Sequence, residues 1–486
     1  MRPPFKVLYN QDDSAVFYNC DKPRVDPEDV DTMVDQVAEG GADVMLICPN
    51  SQTVNYPSKV WERQWDEEPF SEVNAEHIIK MREFAKHCNY VERALTRCRH
   101  KGIVPGISMR MNDMHGSCWP ELFCRFYKEH PQWHLDCPPP ARGMGNKAFN
   151  YAIKEVREHH FSLIRELVSD YDFEVLELDF LRMPSYFDTQ HIEEHCQTMT
   201  QFIAQVRKLL QDSGENIFLI PRVAATPGGA LGLGFDVRTW AEQGLVDGIT
   251  VGQFLNTGWE MPIEKFRKLV GQNLAIYAST DLGAFQYEGL ESVKLPLNRD
   301  LLRGFAAGYL ASGADGVNLF NFFCTLETIQ GNQEPDYAAL AEMKDLTALR
   351  FLPRRHAITC GITQVESDLP EQLPVTMKPL HKFGRTQSRT FNMLLASEAE
   401  GQTAHLDVVY DGQVTVNDLW LYLNDQPIGK AIEINDGQKG EIQSRVASFA
   451  IPYGVICDGM NEIVVRCEST SIKIVGLEMR FDSRKS

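Results

Sequence analysis

The chain has 486 residues, and its 48 lysines and arginines against 67 aspartates and glutamates give a formal net charge of −19. That length allows up to about three ordinary domains, although one α/β barrel can use about 250 residues. Hydrophobic residues make up 43% of the chain, so it can build a full core, and disordered and collagen-like classes are excluded. The acidic balance argues against nucleic-acid and membrane partners, and no apolar run approaches the roughly 20 residues of a membrane span.

The N-terminus enters a strand-like run at Phe5 with no apolar signal core before it. We therefore expect a cytoplasmic protein, or a periplasmic or secreted one if a signal peptide has been removed. The twelve cysteines form no CxxC pair and no regular framework, so we expect free thiols. The sequence leaves a homo-oligomer open.

Up to about residue 325, short β-rich runs alternate with helical stretches, the pattern of repeated βα units. Strand candidates lie at 6–9, 43–48, 103–109, 175–180, 217–223, 248–254, 274–279 and 316–320. Helix candidates lie at 28–39, 75–100, 150–169, 190–212, 236–243, 263–270, 298–312 and 335–347. This order predicts an α/β fold, a (β/α)8 TIM barrel over residues 1–350, with a doubly wound open sheet as the alternative.

Beyond Pro353 the helical period disappears and alternating β-rich runs take over, at 390–395, 405–410, 418–423, 445–451, 462–467 and 472–479. Turn residues separate them at 424–427, 435–437 and 458–461. We predict a linker over 351–374 and an antiparallel β-sandwich of jelly-roll type over 375–486, which would serve as an accessory domain.

The predicted strand ends are strongly polar, which matters because catalytic groups of a barrel sit at the carboxyl ends of its strands. The first strand runs into Asp12 and Asp13. The candidate site residues follow strands three to eight and are Arg110, Asn112, Asp113, His115, Glu177, Asp179, Arg182, Arg222, Gln253, Asp281 and Asn318.

The fourth strand carries two carboxylates, Glu177 and Asp179, which the two-residue period places on one face. A buried carboxylate is costly unless it is paired or used. The pair is therefore a candidate for acid, nucleophile or substrate-binding chemistry, and the alternative is an ion pair of Asp179 with Arg182 or Arg222.

The segment from Glu174 to Pro184 is similar to the fourth-strand signature of the family 10-like glycosyl hydrolases, in which a "D-G-[IV]-x-[LF]-D-x-x-R-x-P" run ends the strand. The segment from Arg110 to His115 also resembles a third-strand segment of that group. The resemblance implies a carbohydrate substrate and leaves the sugar open.

Glycoside hydrolysis needs two carboxyl groups flanking the scissile bond. Asp179 is our first candidate. Its partner would be Asp281, which stands across the barrel and resembles an arrangement common among barrel glycosidases, or Asp113 on the neighbouring strand with His115 nearby. Asp281 could instead cap the following turn, and Asp113 could pair with Arg110. Loop glutamates are further alternatives: Glu260, Glu288 and Glu327.

Arginines 110, 182 and 222 come from three consecutive strands, and converging guanidinium groups suit a carboxylate or sulfate. One hypothesis is therefore that the substrate carries an acidic sugar, uronic or sulfated. The alternative is that the arginines neutralise the local carboxylates. Aromatic loop residues, among them Trp61, Trp119, Trp259 and Tyr287, offer faces on which sugar rings stack. The predicted substrate-binding set is Arg110, Asn112, His115, Glu177, Arg182, Arg222, Gln253, Trp259, Tyr287 and Asn318.

Two further patterns are weak. His191 and His195 fit the H-x-x-E-H order of some zinc enzymes without an evident third ligand, so we expect no metal and no cofactor. The glycine-rich run at 228–234 lacks the phosphate-binding spacing and is predicted to be a flexible loop.

The favoured function is a glycoside hydrolase of polysaccharide degradation and carbohydrate metabolism, with a two-carboxylate acid/base mechanism. One alternative is a non-catalytic carbohydrate-binding protein. Another is a polysaccharide lyase or sugar isomerase that would use His115 as its base.

Overall fold

The chain begins with a closed parallel barrel. The computed structural model describes residues 2–18, 22–136, 147–188, 192–253, 260–281, 284–286, 294–296, 298–322, 335–358, 369–370, 372–378, 387–439, 442–468 and 471–482. The barrel strands are β1 (Val7–Gln11), β2 (Val44–Ile47), β3 (Val104–Arg110), β4 (Val175–Asp179), β5 (Phe218–Leu219), β6 (Arg222–Ala224), β7 (Gly248–Gly252), β8 (Ala275–Asp281) and β11 (Gly316–Phe320). Strand β1 pairs in parallel with both β2 and β11, and β3 pairs with β4, which closes the ring. The predicted TIM barrel is confirmed.

The fifth position of the barrel is shared by β5 and β6, which both pair with β4. The sequence predicts one strand over 217–223, but Pro221 interrupts it, because proline has no N–H to give to a ladder. A short antiparallel hairpin, β9 (Ala284–Gln286) and β10 (Lys294–Pro296), lies in the connection after β8.

Helices connect the barrel strands: α1 (Ser14–Phe17), α2 (Pro27–Gly40), α3 (Glu72–Phe84), α4 (Tyr90–Lys101), α5 (Arg125–Glu129), α6 (Lys154–Asp170), α7 (Ile192–Ser213), α8 (Pro227–Gly232), α9 (Val237–Glu242), α10 (Ile263–Val270), α11 (Arg299–Ala311), α12 (Ala339–Glu342) and α13 (Leu346–Leu349). The predicted helix at 75–100 is two helices. Asn89 ends the continuity because its side chain accepts from the N–H groups of Val91 and Glu92 and so caps a new helix.

The glycine-rich run at 228–234 is not the predicted loop, because most of it forms α8. Pro227 begins this helix, and the Thr226 hydroxyl accepts from the N–H of Gly229 at 3.0 Å. A proline at the first position and a threonine cap favour helix strongly enough to offset the glycines.

Apolar side chains form separate clusters on the inner and the outer face of the barrel strands. One cluster inside the barrel contains Leu8, Leu46, Val175 and Phe218, and a larger one lies between the strands and the surrounding helices. The interior cluster is built largely from residues towards the amino ends of the strands, whereas the carboxyl ends carry polar side chains.

The C-terminal part is a sandwich of two antiparallel sheets. Its strands are β12 (Arg354–Ile358), β13 (Val375–Met377), β14 (Gln387–Leu395), β15 (Ala404–Asp411), β16 (Leu419–Leu423), β17 (Gln426–Lys430), β18 (Glu433–Lys439), β19 (Ile442–Ile451), β20 (Gly459–Cys467) and β21 (Ile472–Phe481). One sheet has the order β12-β21-β15-β19-β18, with β13 also on β21, and the other has the order β14-β20-β16-β17. Both sheets contribute side chains to one apolar core.

Two details of this region differ from prediction. The segment predicted as a linker at 351–374 contains β12, which pairs with β21 and so extends the sandwich sheet. The predicted turn at 435–437 lies inside β18, where the backbone pairs with β19. The predicted turn at 424 is present, with positive φ angles of 50° at Asn424 and 62° at Asp425, which suit a tight hairpin.

Helix α11 packs directly on the sandwich. A β-carbon on Gly304 would overlap the carbonyl oxygen of Arg355, so the close approach of the helix to β12 requires glycine there. The eight cysteines within the described ranges are all free thiols. Among the helices described, none combines the length and apolarity needed to cross a membrane.

Candidate active site

The carboxyl end of the barrel carries a dense set of buried charged side chains. Glu177 and Asp179 lie on the same side of β4, in register with Ser108 and Arg110 of β3. Neither carboxylate is exposed to solvent. This register is consistent with the prediction that Glu177 and Asp179 share one face of the strand. The hydrogen-bond partners of the two carboxylates differ.

One oxygen of Glu177 is satisfied and the other is not. Its Oε1 accepts from Asn10 at 2.9 Å and from Ser108 at 2.8 Å. Its Oε2 has no hydrogen-bond partner among the residues that the structure describes. Burial, followed by the negative charge of Asp179, raises the pKa of Glu177 to about 7. A large fraction of Glu177 is therefore protonated at neutral pH.

Asp179 is an ion-paired carboxylate. Both of its oxygens lie 3.3 Å from Nη1 of Arg222, and Oδ1 also accepts from the backbone N–H groups of Leu181 and Arg182 at 3.0 Å. The Arg222 guanidinium in turn stacks over Phe320, 3.8 Å from the ring centroid. The predicted alternative of an Asp179–Arg222 ion pair is thus present in the structure.

His115 connects Asp113 to Arg182. Its Nδ1 lies 2.7 Å from Oδ2 of Asp113, and its Nε2 lies 2.9 Å from Nη2 of Arg182. Because a guanidinium can only donate, Nε2 accepts this bond, and the proton of the neutral ring sits on Nδ1, facing Asp113. A proton-abstracting base needs a free lone pair, so this arrangement does not favour His115 as the base of a lyase or isomerase.

Arg110 lies between two aspartates. Its Nη2 donates to Asp12, and its Nη1 donates to Asp113 at 3.3 Å. Burial opposes ionisation of Asp12, but the guanidinium groups of Arg110 and Arg182 outweigh it, so the pKa of Asp12 is lowered. Asp12 retains 10% of its side-chain exposure, whereas the side chains of Asp113 and Asp179 retain none. Asp12 is therefore the most accessible of these three carboxylates.

Sequence reasoning missed Asp12 and Asp13 as candidates, although both stand at a predicted strand end. The signal was the charge itself, since two adjacent carboxylates in a buried segment require partners. Asp13 accepts from Asn55 at 3.1 Å. Burial and the neighbouring charge of Asp12 raise the pKa of Asp13 to about 7.

The remaining predicted residues divide into three groups. Asn112 is occupied by backbone, because it donates to the carbonyls of Phe149 and Ser185 and accepts from the N–H of Phe149. Gln253 and Asn318 are buried at the mouth, and the Gln253 Oε1 and Asn318 Nδ2 atoms find no partner among the described residues. The structure describes Asp281 only as the backbone end of β8, and Trp259 and Tyr287 lie outside the described residues.

The loop residues show a similar division. Glu260 accepts from Gln372 of the sandwich at 2.7 Å, and Glu288 and Glu327 lie outside the described residues. Trp119 stacks on His115 at the mouth, with centroids 5.7 Å apart, whereas Trp61 stacks on His159. His191 is outside the described residues, and the described part of the chain contains no group of three or more His, Cys, Asp or Glu side chains placed to hold a metal.

Comparisons with known proteins add little to this site. No protein-family model and no curated protein matches the chain. A maltogenic α-amylase from Thermotoga neapolitana is similar in structure at 11% identity, with a TM-score of 0.41 over 98% of this chain and 99% of that one. The α-galactosidase AgaA from Geobacillus stearothermophilus is similar at 12% identity, with a TM-score of 0.40 over 97% of this chain and 55% of that one.

A family 20 β-N-acetylglucosaminidase is similar at 12% identity, with a TM-score of 0.43 over 72% of each chain. The chain thus spans about half the length of the α-galactosidase, 55%, and more of the other two enzymes. Likenesses at this level say nothing about the activity of this chain.

Proposed function

We propose that the chain is a glycoside hydrolase that works at the carboxyl end of its barrel. The observation that carries this proposal is the contrast between Glu177 and Asp179, two carboxyl groups on one strand face in opposite electrostatic settings. Neighbouring carboxyl groups with separated protonation states are the arrangement from which acid/base catalysis is built. Glu177 supplies the proton donor and Asp179 the arginine-paired carboxylate.

In this mechanism Glu177 protonates the leaving glycosidic oxygen, and a carboxylate either attacks the anomeric carbon or activates water. Arg222 holds the Asp179 carboxylate in a fixed orientation, since its Nη1 contacts both oxygens. The unpartnered Oε2 of Glu177 is the atom from which a proton would be delivered. Asp113 is a positioning residue, because His115 and Arg110 occupy its carboxylate.

The test is hydrolysis of a panel of 4-nitrophenyl glycosides and of soluble polysaccharides by the full chain and by E177Q and D179N. We expect each variant to lose about 100-fold or more in kcat/KM on whichever substrate the wild type cleaves. D407N is a matched control, because Asp407 is a buried, arginine-paired aspartate of the sandwich that receives hydrogen bonds from Ser448 and Arg480. Full activity in folded E177Q and D179N would overturn the proposal, and sugar binding without turnover by the wild type would favour the non-catalytic alternative.

A further inference from the structure

We infer that the site takes an uncharged sugar, because Arg110 and Arg222 hold carboxylates of the protein and Arg182 donates to His115, instead of binding an acidic group of the substrate. This inference rests on the proposed function and specifies its substrate class. It opposes the acidic-sugar hypothesis, which requires guanidinium groups that are available to a ligand.

Arg110 has its partners inside the protein. It donates to Asp12 and to Asp113, and its side chain is 8% exposed. Two carboxylates on one guanidinium leave no cationic surplus for a sugar carboxylate. A third carboxylate brought to this position would meet two negative charges.

Arg222 is also paired with a carboxylate of the protein and lies deeper, although its Nε and Nη2 have no hydrogen-bond partner among the described residues. Its side chain is fully buried with Asp179, whose two oxygens it contacts, and the face of the guanidinium is covered by Phe320. An acidic substrate could use this cation only by displacing Asp179, and displacement would leave a buried carboxylate without its partner.

Arg182 contributes its charge to the same network. It donates to His115, and its positive charge lowers the pKa of both Asp12 and Asp113. The three guanidinium groups therefore lie among three aspartates of the protein itself: Asp12, Asp113 and Asp179.

Neutral hydrogen-bonding groups remain for a ligand at the same end of the barrel. Among the described residues, buried atoms without a partner include the amide oxygen of Gln253, the hydroxyl of Thr250 and the amide nitrogen of Asn318. These groups offer both donors and acceptors. A sugar hydroxyl is itself donor and acceptor, so it matches this set better than a carboxylate, which can only accept. Trp119 adds an aromatic face beside His115.

The test compares matched 4-nitrophenyl glycosides at about pH 6, where Glu177 is mainly protonated: glucoside against glucuronide and galactoside against galacturonide, each as α and β anomers. We expect the neutral member of the cleaved pair to have a kcat/KM at least about tenfold higher. A preference for the uronide member would overturn the inference. R182Q provides a second readout, because it should lower the rate without changing the neutral-to-acidic ratio, whereas a ratio that moves towards the neutral sugar would show that Arg182 binds the acid.

Absence of turnover on every pair would count against the proposed function alone, so binding is measured separately by titrating the protein with the same glycosides under calorimetry. Binding confined to neutral sugars then supports the inference. Binding confined to uronides, or to none of the sugars, overturns it.

Discussion

Arg222 donates from one nitrogen to both carboxylate oxygens of Asp179, at 3.3 Å, and neither side chain has any exposure to solvent. The pair joins the fourth and fifth positions of the barrel, since Asp179 and Arg222 are also register partners of β4 and β6. A buried ion pair of this kind fixes geometry more than it adds stability, because desolvation offsets most of the attraction between the charges.

Removing one member of the Asp179–Arg222 pair should therefore destabilise the fold. We expect R222M to lower the free energy of unfolding by about 3–5 kcal/mol, because it leaves the Asp179 carboxylate buried without its ion-pair partner. The double variant D179N/R222M should recover a large part of that loss. Urea unfolding followed by fluorescence measures both, and a loss below about 1 kcal/mol in R222M would show that the pair does not hold this part of the barrel.

The link from Asp113 through His115 should act as a unit. H115F keeps a ring beside Trp119 but removes both ring nitrogens, and D113N removes the charge that faces Nδ1. We expect the two changes to be non-additive in the free energy of unfolding, with a coupling of about 1–2 kcal/mol. Additive effects of H115F and D113N on the free energy of unfolding would show that Asp113 and His115 do not act as a unit.

The packing of α11 on the sandwich should depend on Gly304. Alanine normally stabilises a helix by about 1 kcal/mol relative to glycine. At Gly304 its β-carbon would overlap the backbone of Arg355, so we expect G304A to destabilise the protein by about 2 kcal/mol or more. G232A is the matched control, because a β-carbon on that helical glycine meets nothing within 4 Å. Equal melting temperatures for the two variants would refute the close approach.

Asp13 should make stability depend on pH. Its pKa is raised from 3.8 to about 7, so between about pH 4 and pH 7 the unfolded chain loses a proton that the folded chain keeps. The contribution of Asp13 to the free energy of unfolding is therefore fully present at acid pH and is lost as the pH rises to about 7. We expect D13N to be more stable than the wild type at pH 8 by a few kcal/mol and to show little advantage at pH 4. A difference independent of pH would contradict the raised pKa.

The architecture was predictable from the sequence because it depends on patterns that a single chain displays. Alternating β-rich and helical runs gave the barrel, and the later turn-separated runs gave the sandwich. The errors lie where a local residue acts against the pattern: Asn89 starts a new helix, Pro221 divides a strand, and Thr226 caps a helix in a glycine-rich run.

The sequence predicted which residues form the candidate site better than it predicted which of them form ion pairs with one another. Strand period placed Glu177 and Asp179 together, but the sequence could not say whether Arg182 or Arg222 pairs with Asp179, since that depends on barrel stagger. It also passed over Asp12, whose partner Arg110 is 98 residues away in sequence. Ion pairs between distant strands are set by the closed barrel and have no local signal.

The decisive measurement for Glu177 as the proton donor is the pH dependence of kcat/KM, because Glu177 can donate a proton only while its carboxyl is protonated. We expect activity on the cleaved glycoside to fall as pH rises through about 7, the pKa of Glu177. Infrared difference spectra of wild type against E177Q should show a carboxyl titrating over the same range. A kcat/KM that stays constant from pH 6 to about pH 9, in protein that remains folded, would show that Glu177 is not the proton donor.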